Sequence, residues 1–203
     1  GVIVADNVAY IADYYSGLLI INVTTLSNPT LLGEYDTPGR ALGVFVSGTT
    51  AYVADYTAGL HIIDVSNPSN PTLLGSYNAH SNPTNVFVSD MTAYVTDSSL
   101  GLQIINASDP SNPVLLRTFD TVGNAYDAFV LSNTAYVADG AAGLQLINVT
   151  NLLNPILIDS SDTPGIALGL FVLNNVAYVA DGTAGLQLID LENFHPVPYT
   201  YNI

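Results

Sequence analysis

Residues 50–65 read Thr50-Ala51-Tyr52-Val53-Ala54-Asp55-Tyr56-Thr57-Ala58-Gly59-Leu60-His61-Ile62-Ile63-Asp64-Val65. Two apolar runs flank a short polar break that ends in Gly. Each run is rich in Val, Ile and Tyr and too short for three helical turns, so the segment predicts two strands joined by a hairpin. Gly59 stands where such a connection favours a left-handed residue. The same signature then returns along the chain. Ala-Tyr stands at 9, 51, 93, 135 and 177, a constant spacing of 42 residues. Asp follows four residues later at Asp13, Asp55, Asp97, Asp139 and Asp181, and Gly four further on at Gly17, Gly59, Gly101, Gly143 and Gly185. A chain of 203 residues built this way is five copies of one unit, 1–42, 43–84, 85–126, 127–168 and 169–203, in one domain spanning 1–203.

Two more runs complete each copy. Gly43-Val44-Phe45-Val46-Ser47 precedes the quoted stretch and ends at Gly48-Thr49, and Thr72-Leu73-Leu74-Gly75-Ser76-Tyr77 follows the Pro-rich segment Ser66–Pro71. Four nearly continuous apolar strands imply a sheet covered on both faces. Such a sheet repeated about an axis is a propeller blade, so the prediction is an all-β, five-bladed β-propeller with four antiparallel strands per blade and almost no helix. Thr37-Pro38-Gly39 and Thr163-Pro164-Gly165 place Pro and Gly as a type II turn requires. The first strand opens at Gly1–Val4 and the last is expected over Pro198–Ile203. Five whole blades would close their ring by packing blade one on blade five; the alternative is a part of a larger propeller.

The chain holds 17 acidic residues against two cations, Arg40 and Arg117, for a formal charge of −15. Such a surface repels phosphates and anionic lipid, which excludes nucleic acid and membrane insertion as modes of action. Cysteine is absent, so there is neither a disulfide framework nor a thiolate metal site. A surface of Ser, Thr, Asn, Tyr and Gly with few charges predicts an extracellular or cell-surface location. The start at Gly1 rather than Met predicts a processed or trimmed chain. Asn-x-Ser/Thr sequons stand in register at Asn22, Asn106 and Asn148, with Asp64 and Asp190 in the other two slots. They read either as glycosylation sites or as strand-ending Asn and Asp repeated by the architecture.

Leu60-His61-Ile62-Ile63-Asp64-Val65-Ser66 and its copies resemble the LVIVD repeat of bacterial and archaeal surface proteins. The resemblance covers all five copies. Tyr94-Val95-Thr96-Asp97 is similar, more weakly, to the YWTD propeller motif with Val in place of Trp. The absence of any Trp argues against WD40 repeats and sialidase Asp-boxes, and no kelch-type tandem Gly-Gly pair occurs. Unit three departs with Asn106-Ala107, and the Pro-x-x-Pro pattern is lost after Glu192. The LVIVD resemblance implies a surface interaction module and carries no catalytic residues.

Two groups of residues are candidate sites. Asp13, Asp55, Asp97, Asp139 and Asp181 end the second strand of every blade, near Asp36, Asp120 and Asp162 in the connections between blades. An oxygen-rich face of this kind suits calcium, whereas the structural alternative, which we prefer, makes each ring Asp an acceptor for backbone N–H groups. The second group lies where the copies differ. The loop after the ring Asp carries Tyr14 and Tyr15 in blade one and Tyr56 in blade two, with Arg40 between them, but only small residues in blades four and five. Tyr and Arg dominate binding hot spots, so Tyr14, Tyr15, Arg40 and Tyr56 are the predicted ligand site for a protein or glycan.

His61 fills a slot held by Leu19, Gln103, Gln145 and Gln187, and with His80 and His195 it shows no metal-ligand spacing. Glu34 and Glu192 occupy non-equivalent places and Asp127 stands alone at the start of an inner strand, so no paired carboxylates suggest a glycoside hydrolase. The expectation is a non-enzymatic, cofactor-free extracellular interaction module, calcium aside. The alternative is a structural subunit of a surface assembly, as a homo-oligomer or within a larger one.

Overall fold

The computed structural model describes residues 1–78 and 82–192. The chain is all-β, a five-bladed β-propeller in which consecutive strands pair antiparallel. Blade one comprises β1 (Val2–Ala5), β2 (Val8–Ala12), β3 (Leu18–Asn22) and β4 (Thr30–Tyr35). Blade two comprises β5 (Ala41–Ser47), β6 (Thr50–Asp55), β7 (Gly59–Asp64) and β8 (Thr72–Tyr77). Blade three runs β9 (Pro83–Ser89), β10 (Thr92–Asp97), β11 (Gly101–Asn106) and β12 (Val114–Phe119). Blade four runs β13 (Asp127–Leu131), β14 (Thr134–Ala138), β15 (Leu144–Asn148) and β16 (Ile156–Ser161). Blade five has β17 (Gly169–Leu173), β18 (Val176–Ala180) and β19 (Leu186–Asp190); its expected fourth strand, and His80 and His195, lie outside the described residues. One turn of 3-10 helix, Gly182–Ala184, is the helical content of the described residues.

Strand ends match the apolar runs to within two residues, because turn chemistry punctuates them. Asp6-Asn7, Asp90-Met91 and Asn174-Asn175 take positive φ at both turn positions, the geometry of two-residue hairpins. Gly17, Gly59, Gly101, Gly143 and Gly185 all have φ between 70° and 92°, as the hairpin reading requires. The type II turns are not formed as expected, since neither Gly39 nor Gly165 has positive φ. Glycine is needed there for room instead. A Cβ on Gly39 would fall on the Asp55 carboxylate, and one on Gly165 on the backbone of Asp181.

The chain divides into two compact units, Gly1–Val95 with Ile105–Leu115, and Thr96–Ile104 with Leu116 onward. In the first, Tyr10, Leu18 and Ile20 of blade one pack on Val44, Val53 and Ile63 of blade two. Tyr52, Leu60 and Ile62 on the opposite face of blade two pack in turn on Val86, Val95 and Ile105. In the second, Leu144 and Leu146 of blade four pack on Val172, Ala177 and Val179 of blade five. Both faces of β6, β7, β10 and β11 are buried, as the continuous apolar runs predict. The outer strands depart from that expectation. Leu31, Leu73, Ile156 and Ile158 of β4, β8 and β16 are exposed, because an outer strand has no neighbour beyond it.

Candidate functional site

The ring Asp residues are the hinges of the loop face, and four of the five are fully buried. Asp139 accepts from Thr121 Oγ1 at 2.6 Å and from Gly123 N at 2.8 Å, with one bond to each carboxylate oxygen. Asp181 repeats this with Thr163 Oγ1 at 2.6 Å and Gly165 N at 2.8 Å. Asp55 uses backbone alone, accepting from Gly39 N and Arg40 N, both at 2.8 Å, and from Thr57 N and Ala58 N of its own loop. Asp97 accepts from Ser99 N, Leu100 N and Gln103 Nε2. Each such carboxylate fixes the connection entering its blade, or its own hairpin, and its lone pairs are taken by N–H and O–H groups. Among the described residues no group of three His, Asp or Glu side chains is arranged to hold a metal ion. Asp36, Asp120 and Asp162 are exposed in the connections. Burial pushes the Asp139 carboxyl above the ordinary range; the Thr121 and Gly123 bonds pull it back, and Asp120 nearby pushes it up again.

Asp13 differs. It is exposed, where the other four are fully buried. Its loop is closed by the same backbone bonds as those of blades four and five, Asp13 N donating to Gly17 O and Ser16 N to Asp13 O, both at 2.8 Å. On this loop Tyr14 and Tyr15 stack edge to face with centroids 4.6 Å apart. The Arg40 guanidinium lies 5.3 Å from the Tyr14 ring centroid. Tyr56, half-buried, joins the group through its N–H, which donates to Arg40 O at 2.8 Å. The structure therefore brings all four predicted residues together in one unit. Arg40 is exposed and has no carboxylate partner among the described residues, so its fork of N–H donors is open.

Tyr14 holds a further signal, which aromatic content alone did not reveal. Its φ is +43°, in the left-handed region, and it forms an antiparallel bridge with Ala41. The equivalent residues of blades four and five are Gly140 and Gly182, with φ of 59° and 54°. A bulky residue there costs about 1–2 kcal/mol. An exposed cation–π contact returns about 0.5–1 kcal/mol and the edge-to-face pair with Tyr15 about 0.5–1.5 kcal/mol, so the ring's own contacts are what offset the backbone strain. Comparing the five copies at this position would have found it: two carry Gly where blade one carries Tyr.

Asp127 Oδ2 accepts from Leu170 N at 2.8 Å, tying β13 to β17. Glu192 accepts from Asn175 Nδ2, and Glu34 is exposed on β4. Oδ1 of Asn22, Asn106 and Asn148 accepts the N–H two residues on, as does Oδ1 of Asp64 and Asp190, so all five slots are strand-ending Asx turns. His61 is buried with neither ring nitrogen partnered, and burial lowers its pKa against the pull of Asp55. Gln145 and Gln187 in the same slot reach Ala142 O and Ala184 O.

The model of the LVIVD repeat matches five times, over residues 1–37, 38–79, 81–121, 122–163 and 164–194. The chain belongs to the LVIVD-repeat family. Its matched repeats are offset by about five residues from the units counted from Gly1, so each LVIVD unit after the first starts at or next to the turn between blades. No curated protein matches the chain in a sequence search. Among solved structures, the LVIVD chain is similar to a functionally unknown protein from Desulfotomaculum acetoxidans DSM 771 (TM-score 0.79, 12% identity, 99% of this chain and 68% of that one). It is also similar to the computationally designed proteins Ika8 (TM-score 0.75, 8% identity, 97% and 59%) and Ika4 (TM-score 0.61, 10% identity, 76% and 93%). At these identities the likeness concerns the fold. The chain spans 59% of the length of Ika8.

Proposed function

We propose that this LVIVD propeller is a non-enzymatic extracellular interaction module that binds a protein or glycan partner through Tyr14, Tyr15, Arg40 and Tyr56. The observation that carries the reading is Tyr14 held at φ +43° beside a guanidinium that has no carboxylate partner among the described residues. Strain at a bulky residue persists where the position is used, and a residue kept against its backbone preference is a pointer to function. Tyr15, 78% exposed beside it, offers a rigid face with little side-chain entropy to lose. An open Arg fork flanked by Tyr rings suits a carboxylate on a protein loop or an acidic sugar, with the ring faces taking the apolar side of either. A Lys-free, Cys-free, low-charge surface supports the extracellular location.

The test is a binding screen of the purified chain against a glycan array and a panel of surface-protein ectodomains. Tyr15→Ala and Arg40→Ala are then run against each hit. Both residues are exposed, so the expected result is at least about a tenfold loss of affinity with an unchanged melting temperature. Hits that bind both variants as well as the parent would remove this site from the function.

A further inference from the structure

In blade two, Thr37 Oγ1 and both ring nitrogens of His61 are buried without a hydrogen-bond partner among the described residues. Thr37 is 4% and His61 5% exposed, so solvent does not serve them either. Buried polar atoms left unpaired are costly and call for an explanation. Both residues stand in slots that reach the ring carboxylate in other blades. Thr121 and Thr163, the counterparts of Thr37, donate to Oδ1 of Asp139 and Asp181. Gln103, the counterpart of His61, donates to Asp97 Oδ2 at 3.3 Å. In blades two, four and five the turn glycine holds Oδ2 of the ring Asp. In blade two, however, Oδ1 takes Arg40 N at 2.8 Å, and the Thr37 hydroxyl is left idle. Asp55 therefore fixes the backbone of Arg40, whose guanidinium lies beside Tyr14.

We infer that His61 is an acid-operated release for Arg40. When its ring takes up a proton, the imidazolium draws the Asp55 carboxylate off Arg40 N, toward itself and the Thr37 hydroxyl. Those are the two slots that hold the ring Asp in the other blades. Strand register puts His61 opposite Val53 and Asp55 opposite Gly59, on one face of blade two. Burial keeps the ring neutral at pH 7 against the pull of Asp55, which sets the release in mild acid. Asp55 is the charged group on that face. Within the cluster shared with blade one, β2 and β4 present the phenols of Tyr10 and Tyr35, and β3 presents no titratable group. Glu34 of β4 lies on the other face of blade one by register. Neither β5 nor β8 carries an acid or a cation, and Tyr52 and Tyr77 pack on the opposite face of blade two. Asp13, Asp36 and Arg40 are exposed in the loops, and Asp64 stands at the far end of β7. The consequence for binding rests on the ligand site proposed above; the release itself does not.

The test is solution NMR of the isotope-labelled whole chain, titrated from about pH 7.5 to about pH 4.5. The parent is compared with His61→Leu, since Leu19 fills this slot in blade one. The expected result is that the Gly39 and Arg40 amides shift with the midpoint of the His61 imidazole. The Arg40 amide proton then exchanges about tenfold faster, relative to its intrinsic rate, once the ring is charged. In His61→Leu both amides lose this response. A ring that titrates while Gly39 and Arg40 stay still overturns the inference. So does a response that persists in His61→Leu, or a ring that stays neutral until the chain unfolds. For a ligand held by Tyr15 and Arg40, affinity should fall about tenfold from pH 7 to pH 5 in the parent and stay level in His61→Leu. An equal fall in both overturns the coupling to binding. A screen without such a ligand removes the proposed site alone, because the amide titration decides the release.

Discussion

The loop at 181–185 in blade five and the loop at 13–17 in blade one hold the same repeat positions and solve opposite problems. Blade five buries Asp181, clamps Thr163 and Gly165 with it, and spends the next residue on Gly182, which accepts φ of 54° without strain. Blade one closes its loop with the same backbone bonds as blade five, but leaves Asp13 exposed and puts Tyr14 into the left-handed position. One loop is clamped by a buried carboxylate and the other holds an aromatic at positive φ beside Arg40. On the proposed function, structure and recognition are divided between copies, and the repeat lets one blade depart while the others hold the framework.

The sharpest way to break this comparison is to remove the two carboxylates. Asp181→Ala leaves the buried Thr163 hydroxyl and the Gly165 N–H unpaired, and should cost about 2–4 kcal/mol in denaturant unfolding. Asp13→Ala should stay within about 0.5 kcal/mol. Equal losses would mean that the loops do the same job. Next in size, Tyr14→Gly should leave stability within about 1 kcal/mol, strain relief offsetting the lost ring contacts, while abolishing partner binding. A larger stability loss would show that the ring is there for packing.

His61→Gln sharpens the framework side. The Gln can donate to Ala58 O as Gln145 and Gln187 do at their own loops, a gain of about 1 kcal/mol at neutral pH. The folded pKa of His61 is lowered, so its neutral form is favoured in the fold. Its contribution is fully present above the ordinary imidazole value near 6.5 and is lost as pH falls from there through the folded pKa. The Gln variant should therefore lose that part of the acid sensitivity, read from melting temperatures between pH 7 and 5. Asp139 has the opposite sign. Its folded pKa is raised, so the native state takes up the proton first, and its contribution improves as pH falls through the folded value. Asp139→Asn should flatten that slope, the smallest of these effects.

Most of the framework was legible because it is local. The 42-residue spacing and the left-handed glycines follow from backbone sterics and short-range hydrogen bonds, which each copy repeats. The Tyr–Arg group was legible as a departure from the repeat, though the strain at Tyr14 shows only against Gly140 and Gly182. The role of Gly39 was misread, because its reason is a carboxylate 16 residues away rather than its own φ. Asp127 looked like an odd acid near a site, and its purpose became visible only in the bond to Leu170, 43 residues on.

The sequence by itself determined the number of blades, their strands and the positions at which they differ, since period and turn chemistry act within a few residues. Tertiary structure decided which groups the ring carboxylates hold and which residues of a repeated strand are buried. The two Ala-Gly-Leu-Gln-Leu-Ile segments, 142–147 and 184–189, show why. Gln and Ile are buried in both, but Leu144 is buried and Leu186 exposed, because burial is set by the neighbouring sheet and not by the segment itself.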